Sequence, residues 1–264
     1  MKASLLHVSD LHVGTQQERD VEQALTRLVE RLEPQLVVAS GDLAHRGRRR
    51  ELERAAELLR SLGPPVLAVP GNHDLPYTPS RFVHPWAEFE RVWETTEPTT
   101  SAEGLHVVGL NSARPFRHQG GALSRAQLER AAERLAAAAA EGALRVAVLH
   151  HHLIGAPWRA ARKRPVSRRN HVLQALLDAG ADLILAGHIH QAAVSERHEF
   201  EVVGDEARTA VVAIAPGLGQ PRPRRLGEAR GLHLHEADAE AISVRTFRWS
   251  RGDWTLSAER RFLR

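Results

Sequence analysis

Val66-Leu67-Ala68-Val69-Pro70-Gly71-Asn72-His73-Asp74 decides how this chain is read. Four apolar residues make a short buried strand. A glycine turn, a neutral oxygen ligand, an imidazole and a carboxylate follow in consecutive positions. The same arrangement recurs along the chain. Leu5-Leu6-His7-Val8-Ser9 runs into Asp10-Leu11-His12, and Leu36-Val37-Val38-Ala39 into Ser40-Gly41-Asp42. Residues 145–149 deliver His150-His151-His152, and residues 182–186 deliver Gly187-His188-Ile189-His190. In extended chain, residues two apart share a side, so Asp10 and His12, and again His188 and His190, are expected to converge.

Between these strands lie helical patterns over residues 18–32, 51–62 and 170–179, with an Ala-rich helix capped by Ser124 running to about residue 141. Residues 81–93 predict a further helix carrying Phe82, Trp86, Phe89 and Trp93 as packing residues. The rhythm of strand, helix, strand with polar groups after each strand is that of open α/β sheets, which place ligands at that edge. After residue 190 the pattern changes. Residues 194–203, 210–215, 232–235, 242–247 and 253–256 read as strands without helices between them, with a Pro-, Gly- and Arg-rich loop at 216–227. The expected architecture is a four-layer αββα sandwich, two mixed β-sheets flanked by helices. It forms a single domain over 1–264, in which 1–190 bears the ligands and 191–264 completes the second sheet.

With 264 residues, 42% hydrophobic and 26% charged, the chain has the composition of a soluble globular protein. It contains no cysteine, so disulfides and thiolate ligands are excluded and any metal must sit on nitrogen and oxygen donors. No signal-peptide pattern and no membrane-length apolar run are present, so a cytoplasmic location and no membrane partner are expected. The net charge of +4 comes from 36 basic against 32 acidic residues, too even a balance to favour nucleic acid.

Asp10, His12, Asp42, Asn72, His150, His188 and His190 form the candidate metal set. Two ions roughly 3.5–4 Å apart need a bridging carboxylate and about three further ligands each. Seven residues with one bridging supply that count. Two carboxylates against two divalent cations leave net positive charge, suited to a phosphate anion. A lone Asp-x-His is most often a capped turn; the ordered set, each member after an apolar strand, is what points to two-metal phosphoester chemistry.

These residues resemble the calcineurin-like metallophosphoesterases. Asp10-Leu11-His12, Gly41-Asp42 with Arg46 four on, Gly71-Asn72-His73-Asp74, His150-His151 and Gly187-His188-Ile189-His190 carry the resemblance, over residues 5 to 190. It implies the αββα sandwich and a binuclear centre of Mn, Fe or Zn. Asp10, His12, Asp42 and His190 would hold the first ion. Asp42 would bridge to a second held by Asn72, His150 and His188. The implied reaction is phosphodiester hydrolysis by a metal-bridging hydroxide, with His73 assisting the leaving oxygen and Asp74 orienting it. Prolines usual after His-His in the cyclic-nucleotide branch are replaced here by His152-Leu153. Arg46, Asn111 and His151 are the candidate substrate contacts, and the basic run Arg159, Arg162, Lys163, Arg164, Arg168 and Arg169 is a further wall. The branch most resembled takes cyclic nucleotides or glycerophosphodiesters. A nuclease of the same fold and a non-catalytic metal-binding scaffold are the alternatives, and the resemblance leaves room for a homodimer.

Overall fold

The computed structural model describes residues 3–15, 19–137, 142–154, 163–196, 208–219 and 230–264. β1 (Ala3–Val8), α1 (Arg19–Leu32), β2 (Leu36–Ala39), α2 (Arg49–Arg60) and β3 (Val66–Ala68) alternate as the apolar runs require, and the three strands pair in parallel. Two short helices follow, α3 (Ser80–Val83) and α4 (Ala87–Trp93). The second half adds β4 (Thr99–Ala102), β5 (Leu105–Gly109), α5 (Arg125–Ala137), β6 (Leu144–Val148), α6 (Arg169–Asp178), β7 (Leu183–Ala186), β8 (Ala193–Glu196) and β9 (Val211–Ile214). Three long antiparallel strands close the chain: β10 (Gly231–Ala237), β11 (Ala241–Ser250) and β12 (Asp253–Leu263).

The strands form two mixed six-stranded sheets, ordered β12-β11-β10-β1-β2-β3 and β4-β5-β6-β7-β9-β8. Strand alternation sorts the core into three layers. Leu5, Val38 and Leu67 of the first sheet meet Val107, Val146 and Leu185 of the second in the central one. On the first sheet's other face, Leu6, Val8 and Val37 pack with Leu25, Leu28 and Leu52 of α1 and α2. Val108, Ala147 and Ile184 meet Leu128, Leu135 and Leu176 of α5 and α6 on the outside of the second. The αββα sandwich is therefore the observed fold. Among the described residues no helix is long and apolar enough to cross a membrane.

Three expectations are corrected. Residues 191–264 do not go to the second sheet alone: β8 and β9 join it, whereas β10, β11 and β12 extend the first, with β10 antiparallel to β1. The helix expected over 81–93 is two, because Pro85 cannot donate to a helical ladder. Phe89 and Trp93 are buried as expected, but Phe82 is 55% exposed. Ser124 does cap α5, its Oγ accepting from Gln127 N while Gln127 Oε1 accepts from Ser124 N. The end of that helix at 138–141, most of the strand expected at 194–203, positions 220–227 of the Pro-rich loop, and Arg159 and Arg162 lie outside the described residues.

Candidate metal centre

All the candidate ligands sit where strands of the two sheets end side by side. The backbone brings them together in a way that strand alternation does not explain. β1 stops at Val8, and Asp10 and His12 then take left-handed φ values of 53° and 48°. Asp42, His188 and His190 do the same at 51°, 73° and 58°. Non-glycine residues there carry steric strain, which persists where surrounding structure enforces it. Cross-links supply that enforcement: Asp10 N donates to Gly41 O at 2.9 Å, and His12 N to Asp42 O at 2.9 Å. Convergence thus comes from kinked loops stitched together.

Asp10 is fully buried; its Oδ2 accepts from Ser9 Oγ at 2.7 Å and from His188 N at 2.9 Å. Oδ1 faces His190 Nε2 at 2.9 Å and His12 Nε2 at 3.7 Å. The two imidazole nitrogens are 3.2 Å apart. Asp42 turns Oδ2 to His12 Nε2 at 3.8 Å and Oδ1 to His150 Nε2 at 3.4 Å. His150 Nε2 in turn faces His188 Nδ1 at 3.2 Å. His150 donates its other ring nitrogen, Nδ1, to Ser40 O at 2.8 Å, and His188 gives Nε2 to Gln119 O at 3.0 Å. Carbonyls accept only, so these bonds fix the tautomers and leave the inward nitrogens as lone-pair donors, the pattern that outer partners impose on metal ligands.

Ligand atoms of Asp10, His12 and His190 lie within 4.8 Å of one another, as do those of Asp10, Asp42 and His150, and of His150, His151 and His188. Asn72 is fully buried, and neither its Oδ1 nor its Nδ2 finds a hydrogen-bond partner among the described residues. Asp42 Oδ2 lacks a hydrogen-bond partner as well. Buried polar atoms without partners cost about 1–3 kcal/mol each, more when charged. A donor set so placed fits divalent cations bound through nitrogen and oxygen.

Electrostatics agree. Burial pushes the Asp10 carboxyl up, but His190 and His12 outweigh it and hold it well below the usual carboxylate range. Asp42 is likewise held down, against burial, by His150 and His73. Burial lowers His150, yet Asp42 beside it raises it to about 9, a proton on Nε2 that a bound cation would displace. His12 and His188 are pulled down by burial, His12 to about 4.

His73 stands beside this set, its ring centroid 4.7 Å from that of His12. Its Nδ1 donates to the His45 carbonyl at 2.8 Å, which turns Nε2 away from the loop. Asp74 does not orient it. Asp74 Oδ1 accepts from Ala44 N and Oδ2 from Gly71 N, both at 2.7 Å, so this carboxylate ties the two ligand loops together. Sequence reasoning missed His45, which gives its carbonyl to His73 and whose ring lies with those of His12 and His73 in a further group of possible ligand atoms.

The proposed substrate contacts scatter. Arg46 is exposed on the loop after Asp42. Asn111 is buried, with Oδ1 accepting from Ala113 N at 3.1 Å, and so closes a turn after β5. His151 is fully buried, Nδ1 against Ser112 Oγ at 2.9 Å and Nε2 without a partner among the described residues, which places it with the ligands.

Residues 3–192 match the sequence profile of a family described as calcineurin-like phosphoesterase. A glycerophosphodiester phosphodiesterase of Enterobacter lignolyticus is 38% identical over 82 residues, 26% of this chain and 29% of that protein. A probable cyclic nucleotide phosphodiesterase of Synechococcus is 27% identical over 135 residues, 46% of this chain and 48% of that one. The matched stretches span under half the length of either relative. Among solved structures, the purple acid phosphatase PPD1 of yellow lupin (Lupinus luteus) aligns with a TM-score of 0.72 at 11% identity, over 98% of this chain and 53% of its own, a likeness of fold.

Proposed function

The chain belongs to the calcineurin-like phosphoesterase family, and on that premise we propose that it hydrolyses phosphodiesters at a two-metal centre. One observation carries the reading: the two oxygens of Asp42 face two different histidines, His12 and His150, each at the head of its own ligand group. Asp10, His12 and His190 with Asp42 would hold one ion, and Asn72, His150 and His188 with Asp42 the other; His151 Nε2 is a further donor at the second.

Bound Mn, Fe or Zn ions would supply Lewis-acid polarisation of the phosphate and a nucleophile available at neutral pH. The rest is done by side chains. Asp42, with its two oxygens turned to His12 and His150, would be shared between the two positions. The Ser40 and Gln119 carbonyls aim His150 and His188 inward. Two carboxylates amid neutral imidazoles leave the loaded site positive, which draws the phosphate in. With Nδ1–H held by the His45 carbonyl, His73 Nε2 is the atom that holds a proton for the departing oxygen. Arg46, exposed on the loop after Asp42, would meet the remaining phosphate charge.

A panel with Mn²⁺ tests this: bis(p-nitrophenyl) phosphate, a cyclic nucleotide, a glycerophosphodiester, a monoester and single-stranded DNA. Diester turnover abolished by chelation and restored by metal is expected. Preference for DNA with steep salt dependence would instead indicate a nuclease, and no turnover on any member would overturn the reading.

A further inference from the structure

Next to His73 lies an open groove of about 660 Å³, lined by Tyr77, Arg81, Phe82, Pro115, Phe116 and His118 among others. The chain is poor in aromatics, 5% of its residues, yet its single tyrosine and two of its six phenylalanines stand here exposed. Tyr77 is 47% exposed, Phe82 55% and Phe116 83%. Exposed apolar surface gathered in one place marks a contact site.

The rings are arranged in two tiers. Phe82 and Phe116 stack with centroids 5.1 Å apart and planes 30° from parallel. Tyr77 approaches His118 at 5.8 Å and His73 at 6.0 Å. Tyr77 Oη also lies 3.2 Å from His73 Nδ1. A path of rings therefore runs from the ligand His12 through His73 and Tyr77 into the groove. Arg81 is buried and donates Nε to Pro115 O at 2.7 Å and Nη2 to Arg117 O, which braces one wall against the other. Its charge is committed to backbone.

We infer that this groove seats a planar aromatic group, a nucleobase or aryl ring, on the leaving-group side of a phosphodiester whose phosphorus lies beside His73. This rests on the phosphodiesterase reading above and narrows it. Aromatic faces stack on any flat ring and are tolerant of its edge chemistry, which stays solvated in an open groove. A small polyol such as glycerol gains nothing from such walls, and an anionic headgroup finds the Arg81 guanidinium already engaged.

Phenylphosphonate and methylphosphonate test it, since both present the same anion on a P–C bond that hydrolysis does not break. Affinity for each is measured by calorimetry on manganese-loaded protein and by competition with bis(p-nitrophenyl) phosphate. The ring should tighten binding about tenfold in the natural protein, in keeping with the worth of one stacked ring. That ratio should collapse towards one in a Phe82→Ala/Phe116→Ala double variant, both sites being exposed and free of core packing. Equal affinity for the two phosphonates alongside intact diester turnover would overturn the groove assignment alone. A preference for the ring that survives in the double variant would overturn it too. Absence of binding by either probe together with absence of turnover would remove the phosphodiesterase reading and the groove with it.

Discussion

Among the described residues, buried histidines of the two sheets gather in two groups, and one of them has a donor set that could hold metal. His12 and His188 sit on loops kinked by left-handed φ, and His150 on the loop after β6, with Asp10 and Asp42 among them. His7, His233 and His235 sit on regular strands, β1 and β10, where His7 pairs with His233 across the ladder. Their ring centroids are 5.7–6.1 Å apart, hardly wider than those at the metal-facing set. No carboxylate of the described metal groups belongs to them. His233 spends both nitrogens, Nε2 donating to Ile214 O of the opposite sheet and Nδ1 accepting from Thr246 Oγ1. His7 Nε2 is engaged with Ser40 Oγ at 2.8 Å. Proximity of imidazoles is thus not enough. Buried carboxylate charge, outer partners that aim the lone pairs, and backbone bent out of the strand make the difference.

Removing the carboxylate that joins the two ligand groups should be the most damaging change. Asp42→Ala is expected to lose both ions and more activity than the ~10–100-fold that outer partners of ligands typically cost. Metal analysis beside turnover checks it, and retention of two ions would break the distinction drawn here. His73→Ala should keep both ions and lower turnover by roughly 10²–10⁴, the range for a lost acid–base group. Equal metal loss in the two variants would contradict their separate roles. A third change acts on backbone. A Cβ on Gly71 would stand 2.2 Å from Asp42 Oδ1 and 2.3 Å from Asp42 N, both impossibly close. Gly71→Ala should therefore displace Asp42 and weaken metal affinity by about 10–100-fold, as a disturbed outer partner does; metal titration at fixed pH reads it.

The candidate ligands were legible because each follows a short apolar run, in Asp-Leu-His, Gly-Asp, Gly-Asn-His-Asp, His-His-His or Gly-His-x-His. The alternation of strand and helix likewise gave the parallel halves of both sheets. How Asp10 and His12 converge was not legible, since left-handed φ at a non-glycine residue is enforced by tertiary contacts. Nor was the destination of the last strands. β-patterning says which face is buried, not which edge a strand joins. A hint existed in Leu232-His233-Leu234-His235, whose period matches Leu6-His7-Val8 on the strand it pairs with. Pro85 likewise argued against one helix over 81–93, and with the break Phe82 left the core for the groove. Asp74 misled for another reason: a carboxylate next to a histidine in sequence has its partners chosen by the loop that folds over it, here Ala44 N and Gly71 N.

The gentlest test falls on the group without carboxylates. His235 is fully buried, and neither ring nitrogen finds a partner among the described residues. Burial, with His7 and His233 adding to it, holds its pKa well below the ordinary 6.5. The folded chain therefore keeps it neutral while the unfolded chain takes a proton as pH falls below about 6.5. More protons on the unfolded side means stability lost towards acid. Between pH 7.5 and 5 one such histidine should remove about 2 kcal/mol, at 1.36 kcal/mol per pH unit below the unfolded pKa. His235→Leu keeps the site apolar and removes that proton. In urea unfolding of the metal-free protein, the variant should gain about this amount relative to the natural chain on going from pH 7.5 to 5. Its metal content after loading should stay unchanged, because His235 contributes to none of the ligand groups. Parallel pH profiles would mean that His235 already carries a proton when folded, and the contrast between the two histidine groups would then lie in something other than charge.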